Sequence, residues 1–228
     1  MLDNLAVYLT NYETFNHLKG HTLKKEFPDL EKEISKYQLA LNTSTNKIQH
    51  TTKGQNYTRL FPVDNEHFYT ISWDIEKAKE IIKRKKSPVY QMEVKDLWEN
   101  VSHKNLDLNY INNVLSYEEL EPIIVVFYAP LNAYIVIDGN HRLAKQYYKN
   151  RNGKISAYLL EPDDHLIAMC GEYYRVMYKI NHNLQVLNNY VIGNLSTYEY
   201  TNSYTPEKGA MLLYKINSLK YRLQALLK

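Results

Sequence analysis

The stretch Ile135-Val136-Ile137-Asp138-Gly139-Asn140-His141-Arg142-Leu143 decides how the middle of the chain folds. Its first residues favour a strand that stops at Asp138-Gly139, and a helix is predicted from there to about Asn152-Gly153. One face of that helix is predicted to carry Leu143, Ala144, Tyr147 and Tyr148. A strand that enters a helix through glycine leaves the first helical amides, and the positive end of the helix dipole, facing outward. The stretch therefore predicts an anion site.

The side chains beside the glycine add chemistry to this anion site. Arg142 is a bidentate donor suited to phosphate, and Asp138 offers a carboxylate for hydrated Mg²⁺ or for a substrate hydroxyl. One acid, one His and one Arg within five residues form a reactive group. A structural interpretation is equally open, in which Asp138 caps the helix, His141 fills space and Arg142 pairs with a local acid.

The residues around this stretch predict a small α/β domain. Ile123–Tyr128 is a continuous apolar run typical of a strand buried on both faces, and a turn follows at residues 129–132. The remaining predicted elements are a strand from Val89 to Leu97, a short helix from Asp107 to Leu115 and a strand from Ile155 to Leu160.

Helices are predicted on both sides of this domain. After it, they span about His165 to Val191 and Pro206 to the C-terminus. Before it, Ser72–Lys86 has acidic residues in its first turn, basic residues in its last turn and a stripe of Ile75, Ala78 and Ile82. Residues 1–41 predict two helices, carrying Leu2, Leu5, Leu9 and Tyr12, then Leu30, Ile34, Tyr37 and Leu41, with Pro28 in the first turn of the second. A long surface loop is predicted over Asn42–Tyr57.

Composition limits the classes of protein to consider. The 228 residues are 44% hydrophobic and 23% charged, which is typical of a globular protein. The single Cys170 excludes an internal disulfide and a cysteine-based zinc site, and it favours a reducing cytoplasm. We expect no signal peptide and no membrane span, since the longest apolar run is six residues, Ile123–Tyr128. A net charge of +3 does not indicate a nucleic-acid binder.

Residues 89–160, which end in a strand, Asp138-Gly139-Asn140-His141-Arg142, a helix, a Gly and a strand, resemble the ParB/sulfiredoxin-like fold. The motif is most similar to the D-G-x-H-R branch, which includes free serine kinases and the DGQHR-domain proteins of DNA phosphorothioation systems. The resemblance implies that Asp138 is the catalytic or metal-facing carboxylate, and that Asn140, His141 and Arg142 hold nucleotide phosphates. Asn140 stands where sulfiredoxin has its catalytic Cys, which argues against sulfinic acid reduction.

The same resemblance implies a catalytic Glu near the end of the strand before the core. Glu99 is the nearest candidate and Glu93 is the alternative. The overall expectation is an α+β protein in which a ParB/sulfiredoxin-like core (89–162) is flanked by a helical N-terminal region (1–88) and a helical C-terminal region (163–228).

Four other patterns have two interpretations each. Lys83-Arg84-Lys85-Lys86 complements a helix end or contacts nucleic-acid phosphates. His17 and His21, four residues apart, have the spacing of two metal ligands, but Leu18 replaces the Glu of a zincin motif, which favours a role without metal. Asp163-Asp164-His165 predicts a helix start with one Asp as its cap, or a metal ligand if it folds over Asp138. Within 205–228, Leu212, Ile216, Leu219, Leu223 and Leu226 predict either packing on the chain's own domain or the seam of a homodimer.

Two functions follow as expectations. The first is a cytoplasmic enzyme or switch that binds an adenine nucleotide with Mg²⁺. It either transfers a phosphoryl group to a small hydroxyl acceptor or hydrolyses the nucleotide. The candidate catalytic residues are Asp138, His141 and Glu99. The candidate phosphate-binding residues are Gly139, Asn140, His141 and Arg142. The second is a DNA-associated regulator or partition-like protein without catalysis.

Overall fold

A computed structural model describes residues 30–45, 54–62, 68–101, 106 and 121–194. The first predicted helix, His17 and His21, the helix at Asp107–Leu115 and the leucine pattern in 205–228 lie outside these residues. The described part is an α+β protein, in which the strands form a two-stranded and a four-stranded sheet and helices lie between them along the chain. None of its helices is long and apolar enough to cross a membrane.

The elements follow the chain in this order. The helices are α1 (Leu30–Thr45), α2 (Ile75–Lys85), α3 (Val94–Trp98), α4 (Asn140–Lys149), α5 (Pro162–Ile167) and α6 (Glu172–Val191). The strands are β1 (Asn56–Pro62), β2 (Phe68–Asp74), β3 (Val89–Glu93), β4 (Ile123–Tyr128), β5 (Ala133–Asp138) and β6 (Lys154–Leu160). A short 3₁₀ turn, Ala129–Leu131, joins β4 to β5 and ends at Asn132 in the left-handed region.

The chain divides into two compact units, and the division differs from the predicted one. One unit holds 30–45, 58–62, 68–72 and 169–194 among the described residues. In it α1 packs against α6, and Tyr37 and Leu41 of the predicted α1 stripe are buried. This unit contains most of the β1–β2 pair, so the N-terminal region is not wholly helical.

The other unit holds 54–57, 73–101, 106 and 121–168, and it contains the four-stranded sheet in the order β3-β6-β4-β5. β3 and β5 are antiparallel to their neighbours, while β4 and β6 are parallel. All six residues of β4 are buried, as the apolar run predicted. Helices α3 and α4 cover one face of the sheet through Val94, Leu97, Leu143, Ile123, Val125, Val136 and Ala157.

Several predicted boundaries are wrong. β3 ends at Glu93, and Val94–Trp98 is helical because Val94 and Leu97, three residues apart, are both buried. α2 begins at Ile75 instead of Ser72, because Asp74 is its N-cap and accepts a bond of 3.1 Å from the Lys77 amide. The stripe of Ile75, Ala78 and Ile82 is confirmed.

The loop and helix ends need similar corrections. The predicted loop over Asn42–Tyr57 is helical to Thr45 and becomes a strand at Asn56. α4 ends at Lys149, before Asn152-Gly153, and Tyr148 is 62% exposed and therefore not on its buried face. The helix predicted over 165–191 is two helices, α5 and α6, separated at 168–171. Glu161, and neither Asp163 nor Asp164, is the N-cap of α5.

His165 is a fully buried structural residue of the sheet-containing unit. The Trp73 indole donates to its Nδ1 at 3.4 Å, so its Nε2 carries the proton and donates to the Phe127 carbonyl at 3.1 Å. Burial lowers the pKa of His165 to about 3, against the opposing effect of the Phe127 bond. These contacts agree with a core role and give no support to a metal ligand at this position.

We expect this histidine to make stability fall in acid. Unfolding restores the pKa of His165 to its ordinary value of about 6.5, so below that pH the unfolded state binds the extra proton and the free energy of unfolding drops. The loss is at most about 1.4 kcal/mol per pH unit between pH 6.5 and pH 3. Urea denaturation at a series of pH values measures it. His165→Gln should flatten this part of the curve, whereas an unchanged slope would contradict the assignment; the buried His182, whose pKa is lowered to about 4, contributes equally to both proteins.

Candidate functional site

The Asp-Gly-Asn-His-Arg stretch occupies the junction of β5 and α4, as predicted. Gly139 is the N-cap of α4, with φ 89°, and no side chain caps the helix. A Cβ at this glycine would lie 2.4 Å from Ile123 Cγ2 and 3.0 Å from Arg142 Nε. Both the backbone angle and the close packing therefore require glycine here.

Asp138 and Arg142 form an ion pair one helical turn apart. Arg142 Nη2 lies 3.1 Å from Asp138 Oδ2, and each side chain is less than one-fifth exposed. Arg142 Nη1 also donates to the Glu121 carbonyl. The interpretation in which Arg142 pairs with a local acid is thus confirmed, and the interpretation of Asp138 as the helix cap is wrong because Gly139 holds that position.

A register shift comes immediately before Asp138. Val125 pairs with Val136 and Ile124 pairs with Asp138, so Ile137 is an extra residue on β5. Such a bulge bends the strand and changes the direction of the neighbouring side chains. The position of Asp138 is therefore set by the bulge as well as by strand alternation.

Asn140 and His141 begin α4. The Asn140 side chain donates to the Val136 carbonyl at 3.2 Å, which ties the first turn back to β5. His141 is half-buried in the same turn. The α-helical bonding starts with the Leu143 amide, which donates to the Gly139 carbonyl at 2.9 Å, and the amides before it face the N-terminal end of the helix.

The two candidate glutamates are on other elements than Asp138, Glu93 at the end of β3 and Glu99 after α3. Glu93 ends β3 and pairs with Lys154 at 3.4 Å, and two strands separate β3 from β5, a distance of roughly 14 Å. Glu93 is therefore not beside Asp138. Glu99 is exposed at the C-cap of α3, and its catalytic role stays a prediction.

A pocket of about 180 Å³ adjoins the motif through Arg142. Its other lining residues were not singled out from the sequence: Gln91, Glu121, Ile123, Gln146, Lys154, Ile155 and Ser156. They come from four elements and one connection, and only the sheet register brings them together. The single local signal is Gln146, one turn after Arg142 on α4.

The basic run at the end of α2 fits its structural interpretation. Lys83, Arg84 and Lys85 form the last turn, and the amide of Lys86, in the left-handed region, reaches the Ile82 and Lys83 carbonyls. Lys85 also pairs with Asp164. These positions complement the negative end of the helix dipole.

The described residues contain no group of three or more His, Cys, Asp or Glu side chains arranged to hold a metal ion. Mg²⁺ bound with a nucleotide needs only one or two protein carboxylates, because phosphate oxygens and water complete its shell. Asp138 fits that requirement if Arg142 exchanges its carboxylate partner for a phosphate.

Searches against family models, curated proteins and solved structures found no match to this chain.

Proposed function

We propose that the β5–α4 junction binds the phosphates of an adenine nucleotide together with Mg²⁺. In this proposal the protein transfers a phosphoryl group to a small hydroxyl acceptor or hydrolyses the nucleotide in the cytoplasm. The observation that carries the proposal is the Asp138–Arg142 pair at the N-terminal end of α4, where a carboxylate and a guanidinium lie 3.1 Å apart beside outward-facing amides.

The Asp138–Arg142 pair offers a cation for the phosphates of a nucleotide and a carboxylate for the bound Mg²⁺. Arg142 would move from Asp138 to a phosphate oxygen, and the amides at the start of α4 would add hydrogen bonds along the helix dipole. Asp138, released from Arg142, would hold the metal through one oxygen or accept the proton of the attacking hydroxyl. Bound Mg²⁺ would neutralise charge on the transferring phosphoryl group.

Gly139 allows the tight turn between β5 and α4. A side chain there would meet Ile123 and Arg142, so the tight turn that aims the amides depends on its absence. Asn140 holds the turn to β5 through the Val136 carbonyl, which keeps the amides in one orientation. His141 and Glu99 enter the proposal through the family resemblance.

The variant Asp138→Asn tests the role of the carboxylate. We expect it to fold, because the Asn oxygen still accepts a bond from Arg142, and to lose Mg²⁺-dependent turnover of nucleotide while still binding nucleotide without metal. Phosphate or nucleotide product release across a Mg²⁺ titration measures this. Asp96→Asn, on the exposed side of α3, is the matched control. If Asp138→Asn melts the protein but leaves the activity of the folded fraction unchanged, the carboxylate is structural.

A further inference from the structure

β6 extends past the beginning of β4 at one end of the sheet. Lys154 pairs with Glu93 of β3, but the pairing between β6 and β4 starts only at Ala157, opposite Ile123. Lys154, Ile155 and Ser156 therefore have β3 on one side and lie beyond the first residue of β4 on the other. The pocket of about 180 Å³ is at this step in the sheet, with Arg142 and Gln146 of α4 on its wall.

The pocket is rich in hydrogen-bond donors. Five of its eight lining side chains carry N–H or O–H groups: Gln91, Arg142, Gln146, Lys154 and Ser156. Two of them are cationic, and Glu121 is the one acidic lining residue. A ligand that satisfies these donors must supply acceptor oxygens.

Arg142 apart, the donors of this pocket have exposed partners that a ligand can replace. Lys154 Nζ lies 3.4 Å from Glu93, and the Lys154 side chain is 60% exposed. Gln146 Nε2 reaches the Lys154 carbonyl at 3.3 Å, and Gln91 Nε2 donates to the Ser156 hydroxyl at 2.9 Å. Exposed pairs of this kind contribute little stability, so exchanging them for an anion costs little.

We propose that this pocket is a binding site for the oxyanion of a phosphoryl group, held by Lys154, Gln146 and Ser156 together with Arg142. Its volume is below the roughly 300–1,000 Å³ of pockets that enclose drug-sized ligands, so it suits a phosphate group and not a nucleoside. The inference rests on the proposed function and extends it. Arg142 is shared between Asp138 and the pocket, which places a phosphate next to the proposed catalytic carboxylate.

Titration with inorganic phosphate, followed by ³¹P NMR, tests the site. Wild type should bind phosphate saturably, and Lys154→Ala should weaken this roughly 10-fold, the scale for a hydrogen bond to a charged group. Gln146→Leu also removes a hydrogen bond to the charged phosphate and should weaken binding by a similar factor, roughly 10-fold. Lys149→Ala removes an exposed lysine of the same helix outside the pocket, and it should bind as wild type does. Circular dichroism confirms that each variant is folded.

Competition identifies the source of the phosphate. Displacement of bound phosphate by ADP but not by adenosine assigns the pocket to a nucleotide phosphate, while phosphate that stays bound beside ADP assigns it to the acceptor or product. The pocket is refuted if phosphate fails to saturate, or if Lys149→Ala weakens binding as much as Lys154→Ala. If phosphate binds as expected and no nucleotide binds, the pocket stands and the proposed function fails.

Discussion

Replacing Gly139 by alanine is expected to destabilise the protein more than any other single change at the site. The backbone angle φ of 89° costs a residue with a Cβ about 1–2 kcal/mol. The added carbon would also lie 2.4 Å from the methyl Cγ2 of Ile123, a buried β-branched side chain, and forced overpacking costs roughly 1–3 kcal/mol more. Chemical denaturation should show a total loss of about 2–5 kcal/mol, a large fraction of the stability of a typical domain.

Gly54→Ala separates the two causes. Gly54 also has a positive φ, 122°, but its nearest neighbour to an added Cβ is Glu76 Cγ at 3.5 Å, an ordinary contact. This variant should lose only the conformational part of the free energy. A loss for Gly139→Ala of no more than about 2 kcal/mol, the conformational cost alone, would show that the approach to Ile123 is unimportant.

Arg142→Ala is expected to have the largest effect on ligand binding. Arg142 is the one motif side chain that touches both Asp138 and the pocket. Loss of hydrogen bonds to a charged phosphate should weaken nucleotide binding by about 1.5–3 kcal/mol, or roughly 10- to 150-fold in Kd. Isothermal titration calorimetry measures the difference.

Two further variants make this result specific. Arg142→Lys keeps the charge but loses the planar fork, so its affinity should lie between those of wild type and Arg142→Ala. Arg151→Ala removes an exposed arginine that lies over the Tyr147 ring, and its affinity should match wild type. Unchanged affinity in Arg142→Ala would remove this residue from the phosphate site.

The sequence predicted the centre of the sheet-containing unit well, since its signals are local. The buried run of β4, the stop at Asp138-Gly139 and the strand β6 each depend on residues close together in the chain. Gly139 is also a local signal of the junction between β5 and α4, because the turn there needs a positive φ that glycine adopts readily.

The paired strands β1 and β2 were missed for a physical reason. β1 alternates in exposure and buries only Phe61 fully, so its sequence lacks the apolar run typical of a buried strand. In β2 the polar residues Thr70, Ser72 and Asp74 alternate with Ile71 and Trp73. The acidic Asp74 fitted the first turn of a helix that was predicted to begin at Ser72. Its role as N-cap became evident only from its bond to Lys77.

The pocket could not have been predicted from the sequence. Gln91, Arg142 and Ser156 meet because β3 pairs with β6 in one register and β6 extends beyond β4 by three residues. Register depends on which faces of paired strands are buried together, and the sequence of one strand does not identify its distant partner. The sequence also did not decide whether Arg142 pairs with a local acid or with a ligand phosphate. Both partners accept hydrogen bonds from the same guanidinium N–H groups.

Calorimetric titration of the wild-type protein with ATP, ADP and CTP, each with and without Mg²⁺, tests the central claim most directly. The proposal predicts saturable binding of an adenine nucleotide. Mg²⁺ should tighten this binding, because Asp138 would bind the metal when Arg142 leaves it to bind a phosphate. No binding of any of the three nucleotides at millimolar concentration, with or without Mg²⁺, would contradict it.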